Sequence, residues 1–192
     1  DSRLHGNDSR EEGGSIQLGL SDVRKFAKVV FGLRGQIENL PEFKNLGPDA
    51  LGAGLTIQQF KRIVECQQRP IKQVLMDPSV IAGIGNIYSD EILWQAKVHP
   101  KKSAKKLSGK ELKKIYKAMR AILIKAVRLR GTSTSDFRDT AGLKGGYTDQ
   151  RLVYGRRSEP CRRCLTPIKR IVVGGRSAHF CPGCQKPLSK RR

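Results

Sequence analysis

Four of the five cysteines fall into two C-x-x-C pairs, Cys161–Cys164 and Cys181–Cys184, with residues 165–180 between them. Each pair can present two sulfurs to one ion, because the intervening residues make a tight turn, which Pro160, Pro182 and Gly183 favour. Two such knuckles at this separation fit one tetrahedral Zn²⁺ with four thiolates and no open coordination position, so the metal is expected to be structural. His179, two residues before Cys181, is expected to be a strand residue and not a further ligand. Between the knuckles, Ile168–Val173 and Ser177–Phe180 read as strands, joined at Gly174-Gly175 and with Arg176 just after the turn. Metal closes a hairpin that short apolar strands would not hold alone. Cysteines used this way also point to a reducing compartment.

The charge is the next constraint. Lys and Arg number 38 against 17 Asp and Glu, a formal net charge of +21. Such an excess attracts polyanions and makes their binding salt-dependent. Charged content of 29% and hydrophobic content of 38% are otherwise ordinary for a soluble protein. No apolar run approaches the roughly 20 residues of a membrane span. The chain opens Asp1-Ser2-Arg3, with neither Met nor a secretory signal pattern, as expected of a processed chain or a piece of something longer.

A third feature lies in Arg69–Pro100. Pro70 suits a first helical position, Ile71–Leu75 continue that helix, and Asp77-Pro78 stop it. Gly83-Ile84-Gly85-Asn86 then leads into a run with helical spacing, Ile87, Tyr88, Ile92 and Ala96. Gly83 and Gly85 permit a tight turn and a close ligand, and the new helix offers unpaired N–H groups to an anion. Asn86 is expected to cap the helix or to donate its amide to the same anion, with Lys72 beside the turn.

The string IKQ-x-L-x-D, the GIGNIYSDE core and the closing His99-Pro100 resemble the helix–two-turns–helix element of the formamidopyrimidine-DNA glycosylase / endonuclease VIII family. The resemblance runs from about Ser21 onward. It implies that Lys72 and Asn86 hold phosphates flanking a damaged nucleotide, and that Arg176 grips another beside the lesion. Asp22-Val23-Arg24-Lys25-Phe26 is similar to the family's Asp-Pro-Arg-Arg-Phe loop, implying that Arg24 faces the orphaned base and Phe26 wedges into the stack. The physical sense is that an everted base leaves a hole costing a few kcal/mol of stacking. Gly142–Tyr147 is similar to the loop that covers the everted base, which makes Tyr147 a candidate DNA contact. Val23, Ala27 and an only approximate glycine pattern depart from the family.

The resemblance further implies base-excision repair by a bifunctional glycosylase and AP lyase acting on oxidised purines, or pyrimidines, in damaged or abasic duplex DNA. Cutting would follow by β- or β,δ-elimination in the bacterial cytoplasm at the nucleoid. The family's chemistry begins at an N-terminal proline amine followed by glutamate, and this sequence has no Pro-Glu start. The expectation is therefore a monomeric DNA-clamping part, inactive or nearly so alone, with the catalytic lobe missing, truncated or on another chain. The rival reading is a noncatalytic zinc-ribbon protein that binds DNA or RNA.

The expected fold is α+β, mainly α: a remnant β-hairpin of a β-sandwich, a helix–two-turns–helix bundle and a four-cysteine zinc β-hairpin finger. Domains are expected at 1–40 (lobe remnant and linker), 41–140 (helix–two-turns–helix) and 141–192 (lesion loop and finger). Ser15–Leu20 alternates and is expected to pair with Val23–Phe31, after a mobile 1–14. Gly32–Gly54 reads as a connection. Thr56–Gln59 and Ser108–Glu111 are capping boxes. The second opens a helix whose stripe runs from Leu112 to Val127, with Lys110, Lys113, Lys114 and Lys117 off it. Cys66, Trp94 and Tyr116 are expected to be buried.

Overall fold

The structure, a computed structural model, describes residues 29–133 and 143–186, together with the backbone of Leu4–His5 and Gly19–Leu20. Elements follow the chain as β1 (Leu4–His5), β2 (Gly19–Leu20), α1 (Arg34–Glu38), α2 (Pro41–Lys44), α3 (Ile57–Glu65), α4 (Ile71–Met76), α5 (Asn86–Ala96), α6 (Gly109–Arg128), β3 (Lys169–Val173) and β4 (Arg176–Phe180). The described fold is mainly helical, with a zinc-type β-hairpin near its end. No described helix is long and apolar enough to cross a membrane.

Two compact units divide the chain, 39–124 with 151–192 and 1–38 with 125–150. In the larger unit, both capping boxes form. Gln59 N–H donates to Thr56 Oγ1 at 3.3 Å while Thr56 N–H donates to Gln59 Oε1 at 2.9 Å. Glu111 and Ser108 do the same, at 3.3 and 2.8 Å. With its ends satisfied, α3 buries Phe60 and Val64, and α6 buries Leu112, Ile115, Met119, Ile122 and Leu123. Ile71, Val74, Leu75, Ile92 and Leu93 complete this core, each worth about 1.5–3 kcal/mol on burial. Tyr116 leans on Phe60, ring centroids 5.6 Å apart, and donates its hydroxyl to Leu55 O. A smaller cluster of Trp94, Val153, Ile168, Cys161 and Cys181 underlies the β3–β4 hairpin.

In the smaller unit, β1 pairs antiparallel with β2, Leu4 opposite Leu20. The expected pairing with Val23–Phe31 falls mostly on residues outside those described. Alternation fixes which residues share a face but not which segment pairs with it. Val29–Phe31 lie outside any strand and are exposed, while 21–28, with Arg24 and Phe26, lie outside the described residues. Gly131, at φ 82, ends the helical run through its N–H to Ala126 O. Gly145 sits where a Cβ would collide with the Gly131 carbonyl, so only glycine fits that loop. Ser133 Oγ accepts from Gly145 N–H, and Thr148 Oγ1 from Ser133 N–H.

Three expectations change. The 32–54 connection contains two short helices, α1 and α2. Cys66, the residue after α3, is exposed rather than buried. Val127 is 69% exposed although Ala126 is buried, because a periodic stripe does not report where along a helix its packing partners end.

Candidate nucleic-acid interface and metal centre

Gly83 has φ 94, which a side chain would strain, so the turn before α5 requires glycine there. Gly85 is different. Its backbone is extended, and a Cβ built on it would meet nothing within 4 Å. Neither conformation nor packing demands glycine, so its smallness leaves clear space at the start of α5. Asn86 is the first residue of that helix, and Gly85 occupies the cap position. This corrects the expectation that Asn86 caps. No side chain closes the first turn, which leaves its N–H groups and the positive dipole end suited to an anion.

Lys72 departs further from expectation. It is 0% exposed, and its Nζ donates to Asp90 Oδ1, to Ser89 Oγ at 3.1 Å and to the Asn86 carbonyl at 3.4 Å. An ammonium spent on three internal acceptors has no surface to offer a phosphate. Burial pulls it below the usual lysine range, with Asp90 opposing. The other Asp90 oxygen accepts from His179 N–H at 2.7 Å and lies 3.3 Å from His179 Nδ1. One carboxylate thereby fastens α4, α5 and β4 together. Glu91, its neighbour, accepts from the N–H groups of Leu152, Val153 and Tyr154. Burial raises the Glu91 carboxyl above its ordinary range against those three donors.

The β3–β4 hairpin turns at Gly174 and Gly175, φ 57 and 74, the left-handed pair a two-residue hairpin favours. A Cβ on Gly174 would collide with the Gln73 side-chain amide, so the tip rests directly on α4. Arg176, the first residue of β4, is exposed, and Ser177 Oγ accepts from Asn86 Nδ2 at 3.3 Å. The glycine turn and the hairpin arginine are therefore brought side by side. Asn86 Oδ1 is buried with no partner among the described residues. Turning the amide over lets the Ser177 hydroxyl donate to oxygen and leaves the NH₂ as the unpartnered end at that buried position. Tyr147, by contrast, is 2% exposed and offers no open ring face.

Cys161, Cys164, Cys181 and Cys184 present sulfurs that all lie within 4.8 Å of one another. Tetrahedral Zn–S bonds of about 2.3 Å put sulfurs roughly 3.8 Å apart, so the four fit one zinc ion. Burial pushes the Cys181 thiol up to about 12, whereas hydrogen bonding with Thr166 holds Cys164 down at about 6. Two of the sulfurs, Cys181 and Cys184, are thus held as thiols by burial, and only a cation at the centre of the four would make all of them thiolates. Trp94 Nε1 donates to Cys161 Sγ at 3.4 Å, and the Arg163 guanidinium lies 3.9 Å over the indole. Gln185 is fully buried, donating to Val98 O and accepting from Cys181 N–H. His179 is, as expected, a strand residue, engaged by Asp90.

Sequence patterns alone do not single out Asp90, Glu91, Ser177 or Gln185. The signal they carry is polarity in the wrong place: Asp90 and Glu91 adjoin Ile92-Leu93-Trp94, in a helix buried on most of its faces.

Residues 46–138 match the family described as formamidopyrimidine-DNA glycosylase H2TH domain, and residues 158–187 that described as zinc finger found in FPG and IleRS. The formamidopyrimidine-DNA glycosylase of Listeria innocua is 42% identical over 171 residues, 88% of this chain. That of Synechocystis sp. is 39% identical over 179 residues, 92% of this chain. The chain spans 62% of the length of each. The crystal structure of MutM (Fpg) from Thermus thermophilus superposes with a TM-score of 0.83 at 39% identity, over 88% of this chain and 64% of that one. A complex between Lactococcus lactis Fpg and DNA containing an abasic site gives 0.83 at 31% identity, over 96% of this chain and 71% of that one.

Proposed function

The chain belongs to the formamidopyrimidine-DNA glycosylase family, and from that premise we propose that it is the DNA-gripping part of a base-excision repair glycosylase and AP lyase. Its ligand is duplex DNA carrying an oxidised purine or an abasic site, met in the cytoplasm at the bacterial nucleoid. The observation that carries this reading is the hydrogen bond from Asn86 to Ser177, which sets the glycine turn beside Arg176. In this reading the first turn of α5 and the Asn86 amide hold one backbone phosphate. Arg176 grips a neighbouring one with two charge-assisted hydrogen bonds. Gly83 shapes the turn and Gly85 keeps the approach clear. Lys72 acts through Asp90, holding α4, α5 and β4 in register. Zinc supplies the fixed geometry of the β3–β4 tip and takes no part in bond breaking. The work divides between 41–140, which carries the turn, and 141–192, which carries the finger, while Arg24 and Phe26 fill the void left by the everted base.

The test is competition binding with duplex bearing an abasic analogue, intact duplex and RNA. The abasic duplex should win, and Asn86→Ala and Arg176→Ala should each weaken it by about 1–3 kcal/mol. Unchanged affinity in both variants removes the clamp assignment, and equal affinity for all three ligands favours a noncatalytic zinc ribbon instead. The 192-residue polypeptide by itself binds without efficient excision, since family chemistry uses a proline amine with an adjoining glutamate. Borohydride reduction on oxidised-guanine duplex should therefore trap no stoichiometric adduct. A covalent product at Asp1 would overturn that.

A further inference from the structure

The segment from Lys101 to Lys117 carries positive charge that neither the turn nor the finger uses. Lys110, Lys113, Lys114 and Lys117 of α6 are exposed, and none forms an ion pair among the described residues. Their spacing of i, i+3, i+4 and i+7 puts all four on one helical face, about 10 Å long. The loop before α6 adds exposed Lys101, Lys105 and Lys106. That loop is tied to the first turn of α6, because Lys102 Nζ donates to both Glu111 oxygens, at 2.6 and 2.8 Å. Glu111 is the one acidic residue of α6, and this pairing consumes it.

The arrangement works against the helix in two ways. Like charges at i+3 and i+4 repel. Lys110, Lys113 and Lys114 also stand in the first two turns, at the positive end of the dipole, where cations are unfavourable. Glu111 is the one first-turn anion set against them, and it is shared with Lys102 and Ser108. A partner with closely spaced negative charge would relieve both.

We infer that this lysine face is a second binding surface, for the phosphate backbone of duplex DNA irrespective of damage. The inference rests on duplex DNA being the ligand of the protein. A rigid row of about 10 Å spans roughly three phosphates of one strand at 3.4 Å rise each. Single-stranded nucleic acid calls for aromatic platforms, and here Trp94 is buried while Tyr116 is committed to Phe60 and Leu55. A membrane surface calls for an apolar face to insert, and the apolar residues interleaved with these lysines, Leu112, Ile115 and Met119, are buried in the core. The face supplies damage-independent attraction, and the turn with the finger supplies discrimination.

The experiment compares the parent with K110Q/K113Q/K114Q/K117Q on intact duplex and on duplex with an abasic analogue, across a range of salt. For intact duplex, the slope of log K against log salt should become shallower by about 2–4, at roughly 0.9 for each phosphate no longer neutralised. Affinity at low salt should fall about tenfold or more, with the ratio of abasic to intact binding kept. The variant should melt no earlier than the parent, because repulsion has been removed. An unchanged slope and affinity on intact duplex overturns the proposal. So does a loss confined to abasic duplex, or one seen on single-stranded RNA and not on duplex. Asn86→Ala separates the two readings, since it should reduce abasic preference and leave the salt slope alone. If the parent shows no abasic preference while the quadruple variant still flattens the slope, the repair assignment fails and the lysine surface stands.

Discussion

Stripping the metal is expected to unfold residues 158–186 and to shift the emission of Trp94 to longer wavelength. Trp94 is the sole tryptophan, 4% exposed, and it packs against Cys161, Val153 and Ile168, so its emission reports the finger directly. A two-stranded hairpin is marginal in water. Structural zinc in small fingers contributes about 10–16 kcal/mol of apparent binding free energy near neutral pH. Hairpin packing cannot replace a contribution that large. Helical signal should mostly persist, because α3, α4 and α6 close their own core. Affinity for abasic duplex should collapse, since Arg176 and Ser177 lose their place beside Asn86. Cys161→Ser and Cys181→Ser should reproduce the effect. Protons compete with zinc for thiolate, so at fixed chelator the emission shift should come sooner as pH falls. Complete metal removal with unaltered Trp94 emission would sink the structural role.

The parts legible in the sequence were those fixed by local chemistry. The four cysteines, the capping boxes at Thr56 and Ser108, and the left-handed glycines at Gly83 and Gly174 each follow from neighbours within a few residues. What escaped was long-range. Alternation in Ser15–Leu20 announced a strand without announcing Leu4–His5 as its partner. A lysine two residues into α4 reads as an available cation, because the carboxylate that takes it stands at Asp90 and the strand that shares that carboxylate at His179. Lys97 ends α5 at φ 60, a position where glycine is usual, so no glycine marked that end. The closeness of Asn86 to Arg176 came from a resemblance alone until Ser177 was seen to bridge them.

Lys72→Met is expected to destabilise the protein by about 3–5 kcal/mol, the usual result of removing one member of a buried ion pair. Asp90 would keep His179 N–H on one oxygen and lose the ammonium that pairs with the other. Asp90→Asn alone should also destabilise, since it strands the buried ammonium. Combining the two should cost less than their sum, with a coupling energy of about 1–3 kcal/mol, because the double variant buries neither charge unpaired. The same variants separate a positioning lysine from a phosphate ligand. A lysine touching DNA would leave stability near the parent value and, on mutation, remove roughly 0.9 from the salt slope of binding. A lysine confined to the Asp90 network should do the reverse, lowering the unfolding midpoint while the fraction still folded binds with the parent's salt slope. Additive single effects on stability, together with a reduced slope, would return Lys72 to the DNA surface and leave α4 held to α5 by apolar packing alone.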